Sequence, residues 1–154
     1  MPPPVNPLPR AQPGVLASAL APLPSMHELA DVSRAIAAAP SFDAAALRLE
    51  REARRLTRAS EVLCVSIDWA RRIAWTVHNQ IVNEAVIELV SQVAGSGRWV
   101  LIGNALVVPI GQAPARCVLA LRRPGPFQRA EAGLVSALCG GVAPTMERLF
   151  SARP

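Results

Sequence analysis

The placement of proline divides this chain before any pattern of hydrophobicity is read. Eight of the fifteen prolines fall within the first 24 of 154 residues. Each proline removes a backbone donor and fixes φ, so neither helix nor sheet runs through such a density. Residues 1–24 are therefore expected to form an extended, disordered leader or linker. From Ser25 to Phe150 the prolines thin out, and most stand where a periodic segment ends, as at Pro40, Pro114, Pro124 and Pro126. That stretch is one domain by length. Residues 151–154 read as a tail.

Within residues 25–150 the hydrophobic period switches repeatedly between that of a helix and that of a strand. Ser25 followed by Glu28 is a capping-box signal, and Leu29, Val32 and Ile36 form a narrow apolar stripe behind it. A second helix is expected from Ser41 or Asp43 to about Ala59. Its buried side is Phe42, Ala46, Leu49, Ala53 and Leu56, and Arg48, Arg51, Arg55 and Arg58 occupy another side, with Glu50 and Glu52 between. Residues 61–68 alternate as a strand, with Leu63, Val65 and Ile67 on one face and Val62, Cys64 and Ser66 on the other. After a turn at 69–72, Ile73, Trp75 and Val77 are expected to continue the large apolar face, leaving Ala74, Thr76 and His78 on the smaller, more polar one. A third helix spans about 80–94 and ends at Gly95-Ser96-Gly97, with Val82, Val86, Leu89 and Val93 as its apolar side. Strands follow at 98–102, 105–110 and 115–122, the first two joined by the two-residue hairpin signal Gly103-Asn104. A last helix covers about 127–150, with Leu134, Leu138, Val142 and Leu149 buried. Gly140, Gly141 and Pro144 predict a kink or a break in it. The order predicts an α+β fold: an antiparallel sheet of about five strands, of the GAF/profilin-like kind, with helices on its faces.

Composition narrows the function. All sixteen basic residues are arginine, a bias that fits a GC-rich, bacterial genome, and the formal net charge is +5. The arginines are spread along the chain among eleven acids. No aromatic residues interleave the row Arg48, Arg51, Arg55, Arg58, so it reads as a solvated face rather than a nucleic-acid surface. Cys64, Cys117 and Cys139 lie far apart inside apolar runs. No pair has metal-ligand or CxxC spacing, so they read as buried reduced thiols. No run approaches the roughly 20 apolar residues of a membrane span, and the prolines break up any signal-peptide core. A cytoplasmic protein without metal or cofactor is expected.

The string from Asn104 to Phe150 resembles the closing half of a GAF domain. It has Val108-Pro109 ending a strand, a hairpin, small and aliphatic residues from Cys117 to Leu121, then Pro126-Phe127 and a helix beginning near Glu131. The opening half, Met26 to Ile67, resembles the same family through a short helix, Phe42-Asp43, a longer helix, and Ala59-Ser60-Glu61-Val62 leading into a strand. The resemblance implies a regulatory role in signalling, with an output function supplied in trans by a protein partner. Between Val77 and Val108 the chain is shorter than in ligand-binding members. It also lacks the Asn-Lys…Phe…Asp-Glu motif of cyclic-nucleotide-binding members and the cysteine patterns of the bilin-binding and methionine-sulfoxide-reducing members. The order from residue 41 onward also resembles the Roadblock family, whose members dimerise and bind small GTPases or motility partners.

Candidate sites are few. Ser66, Thr76, His78 and Asn79 are the polar points that would line a small-molecule pocket on the second face of the sheet. Ser66, Asp68 and His78 hold the residue types of a hydrolytic triad, but no nucleophile elbow or oxyanion loop surrounds the serine, so no enzyme is expected. Trp69 in its turn and Trp99 at a strand start are candidate contact residues, whereas Trp75 reads as core. The stripe Leu29, Val32 and Ile36 together with Leu134 and Leu138 of the last helix is the expected homodimer surface.

Overall fold

The computed structural model describes residues 25–79 and 82–153. The expected leader at 1–24 and the predicted helix start at Gln80 lie outside the described residues. Helix α1 is Met26–Ala37 and α2 is Phe42–Thr57. Strands β1, Glu61–Asp68, and β2, Ile73–Thr76, are followed by α3, Glu84–Ser96. Strands β3, Val100–Ile102, β4, Ala105–Ile110, and β5, Cys117–Arg122, lead into α4, Arg129–Ser151. The five strands form one antiparallel sheet in the order β2-β1-β5-β4-β3, so the α+β class and the element order predicted from the sequence are those observed.

Local chemistry sets the element ends. The hydroxyl of Ser25 accepts from the Glu28 N–H, and that of Ser41 from the Ala44 N–H, each occupying a donor that the first helical turn leaves unpaired. Asn83 does the same for α3 through the Val86 N–H. Gly97 closes α3 at φ 72°, and Gly103 turns the β3–β4 hairpin at φ 56°.

The sheet separates two apolar layers. Val62, Cys64, Leu106, Val108, Ile110, Leu119 and Leu121 face α1, α2 and α4 in the larger core. Val65, Ile67, Val107 and Val118 face α3 and pack with Val90, Val93 and Ala94. The alternation read along β1 is observed, but the reading of β2 is not. The register pairs Val65 with Thr76 and Ser66 with Trp75. Residues directly opposite across antiparallel strands share a face. Trp75 therefore lies on the face of Ser66, where it stacks on Phe150, and Thr76 lies on the face of Val65. The four-residue turn at 69–72 inverts the parity that the sequence pattern suggested.

Helix α4 is unbroken where a break was one of the two outcomes expected. Pro144 and Gly140 both stand on its exposed side, so the carbonyl that a proline four residues on leaves unbonded lies toward solvent. Arg48 of the predicted arginine row donates to the Ala35 carbonyl at 2.8 Å, fastening α2 to the end of α1, and Arg55 pairs with Glu52.

Candidate functional site

The polar residues singled out in the sequence do not converge on one cavity. Ser66 is buried and its Oγ lies 3.8 Å from the sulfur of Cys117. Thr76 is buried on the opposite face, where its Oγ1 accepts from the His78 N–H at 3.3 Å. Asn79 is exposed with φ 56°. Asp68 accepts from the Ala70 and Arg71 N–H groups and closes its own turn. The three members of the triad considered from sequence are thus each engaged elsewhere, and no nucleophile–base hydrogen bond joins them.

His78 instead meets Glu50 of α2. Its Nε2 lies 3.1 and 3.3 Å from the two carboxylate oxygens. Glu50 is only 5% exposed, while the His78 ring stands half in solvent. Burial raises the Glu50 carboxyl above its ordinary value, and the contact with His78 works against that rise without cancelling it. The sequence had placed Glu50 among the charges of a solvated helix surface. Its spacing, four residues after Ala46 and three before Ala53, places it on the buried side of α2 and was the available signal.

A second unpredicted centre is Arg123. It holds both oxygens of Glu131 at 2.6 Å, donates to the carbonyls of Thr57 and Pro126, and lies over the Phe127 ring. Partial burial pushes the Glu131 carboxyl up, but the bonds from Arg123 and the Gln128 N–H outweigh it, and the net direction is down. This clasp ties the end of α2 to the start of α4.

The thiols are free and buried. Contact with Cys117 and burial push Cys64 up, and burial pushes Cys139 up to about 12. Both therefore stay protonated, which is the state of an inert core thiol.

Surface features remain. Trp69 is 41% exposed in the β1–β2 turn, with its indole N–H donating to the Ala115 carbonyl at 3.0 Å. Beside it opens a cavity of about 400 Å³ walled by Ile67, Trp69, Ile73 and Ile87, with Arg72 and Ser91 as polar points. Trp99 is half-buried against the larger core. The expected dimer stripe needs correction. Leu29, Ile36, Leu134 and Leu138 are buried, and Val32 packs against them, because α1 lies on α4 within the same chain. What the two helices expose is a shallow groove of about 490 Å³ with Met26, Ala30, Ser33, Ala137 and Gly141 along it. Among the described residues no His, Cys, Asp and Glu cluster could hold a metal ion, and no helix is long and apolar enough to cross a membrane.

No protein-family model matches the sequence, and no curated protein matches it. Solved structures match the fold. The GAF domain from an Acinetobacter phosphoenolpyruvate-protein phosphotransferase superposes with a TM-score of 0.65 at 13% identity, over 85% of this chain and 99% of that one. The corresponding GAF domain from Coxiella burnetii gives 0.67 at 12% identity, over 82% and 95%. The free methionine-R-sulfoxide reductase from Neisseria meningitidis, solved with its substrate, gives 0.65 at 13% identity, over 81% and 89%. The shared property is the fold. It is GAF-like, the sequence-level resemblance to GAF domains points the same way, and the Roadblock alternative is not indicated.

Proposed function

We propose that this GAF-like fold serves as a non-enzymatic regulatory module that acts by contact, through a homodimer and a protein partner, rather than by enclosing a large cofactor. The regulatory part of this reading is supported by the GAF domains among the solved structures that share the fold. The observation that carries the finer reading is the second core. Val65, Val107 and Val118 of the sheet pack directly on Val90, Val93 and Ala94 of α3, so the sheet face beneath α3 is occupied by the chain's own side chains. A module filled in this way transmits through its surface. The separation of Ser66, Asp68 and His78 among different partners supports the non-enzymatic side of the reading. Buried, unpaired thiols fit a reducing cytoplasm.

Light scattering on the full chain, coupled to affinity capture from the native cell, tests this. A dimer at micromolar concentration, together with a partner retained in proportion to the bait, is the expected result. A monomer that retains nothing would sink the proposal.

A further inference from the structure

We propose that the cavity between the β1–β2 turn and α3 binds a small aliphatic carboxylate. Its volume of about 400 Å³ falls among those of small-molecule sites, about 300–1,000 Å³. The walls are apolar, from Ile67, Ile73, Ile87 and the Trp69 ring. Ile73 is 48% exposed, so an alkyl chain settling there removes standing apolar surface from water. The Trp69 wall is already ordered. Its N–H is bonded to Ala115, and its ring lies 3.8 Å from where a Cβ on Gly95 would stand. Little side-chain freedom is then lost on binding.

Charge selects the head group. Asp68, which lines the same cavity, is engaged by two turn N–H groups and by Arg71 at 3.8 Å. Arg72 lines the cavity with no hydrogen bond or ion pair among the described residues. Its backbone is left-handed at φ 54°, which closes the turn with the arginine at the cavity rim. A single guanidinium offers a pair of parallel N–H donors that match one carboxylate. An alcohol would leave that charge unanswered, and a phosphate dianion would exceed it. The site lies at the margin of the sheet, outside the filled centre, so it stands or falls separately from the contact-driven reading. Oligomeric state tests that reading, and ligand titration tests this one.

The probe is octanoate, titrated into the full chain and followed by amide chemical shifts, with octanol as the neutral control. The expected result is saturable shifts confined to residues 67–73 and 87–91, with a dissociation constant on the order of 1 mM or tighter. Arg72→Gln is expected to weaken octanoate roughly tenfold, leaving the rest of the spectrum intact, and Arg51→Gln, whose arginine stands exposed on α2 across the sheet, to leave affinity unchanged. The proposal is overturned by non-saturating shifts, by shifts centred elsewhere, by octanol binding as tightly as octanoate, or by equal losses in the two arginine variants.

Discussion

Glu50 and His78 show how one buried carboxylate makes stability depend on pH. Glu50 titrates higher in the fold than in the open chain because burial penalises its charge. A raised folded pKa contributes stability that is present below the unfolded value and lost as pH rises through the folded one. The difference in unfolding free energy between the wild type and Glu50→Gln is therefore expected to fall as pH climbs from the ordinary 4.5. Urea melts of both proteins across acidic to neutral pH measure it. A difference that rises over that interval would mean that attraction to protonated His78 outweighs burial. Arg123 and Glu131 carry the opposite sign. Glu131 is depressed overall, so its contribution is present above its ordinary value and lost on acidification. Arg123→Ala removes the bonds to both Glu131 oxygens and to three backbone carbonyls, those of Thr57, Gly125 and Pro126. It is expected to destabilise by about 2–3 kcal/mol near neutrality. The loss should shrink toward low pH in the same melts, as Glu131 becomes protonated in both proteins.

Adjacent glycines in α4 separate helix propensity from packing. A Cβ on Gly140 meets nothing within 4 Å, whereas one on Gly141 would stand 2.8 Å from the Ser33 hydroxyl of α1. Gly140→Ala is expected to stabilise by about 0.5–1 kcal/mol. In Gly141→Ala the same propensity gain is offset by the contact, so its melting temperature should lie below that of Gly140→Ala. Equal gains in calorimetry would mean that α1 is not seated where Ser33 places it. The sequence revealed these helices through their caps and stripes, and it revealed β1 through its alternation. It could not reveal the faces of β2, because parity across a hairpin depends on the number of residues in the turn. An even turn puts Ile67 opposite Ala74, and nothing local to either strand announces that count. The pairing of Glu50 with His78 was hidden for a related reason: the two are 28 residues apart, and only the seating of α2 on β1 makes them neighbours. The turn at Trp69 was legible as a site of exposed apolar surface because Trp69 stands between two strands whose ends could be placed.

At the scale of the whole molecule, the same intrachain packing that buries Leu29, Ile36, Leu134 and Leu138 decides which surface is left for a second copy. Met26 is 78% exposed at the start of α1, and Ala30, Ala137 and Gly141 stand exposed along the groove between α1 and α4. Small residues on two neighbouring helices allow another pair to approach closely, and Met26 offers an adaptable apolar anchor at the edge. If a two-fold axis crosses this groove, Ala137→Glu introduces a carboxylate from each copy into the contact, and leaving such charges desolvated costs several kcal/mol, by rough estimate. The dimer should then dissociate at least tenfold more readily in sedimentation equilibrium. Because Ala137 is exposed on its own chain, the folded monomer should be unaffected. The melting temperature of the variant should match the wild type at high dilution and fall below it only at concentrations where the wild type is dimeric. An Ala137→Glu protein that dimerises like the wild type would move the contact off the α1/α4 groove. A wild type that stays monomeric while its melting temperature ignores concentration would remove the homodimer altogether.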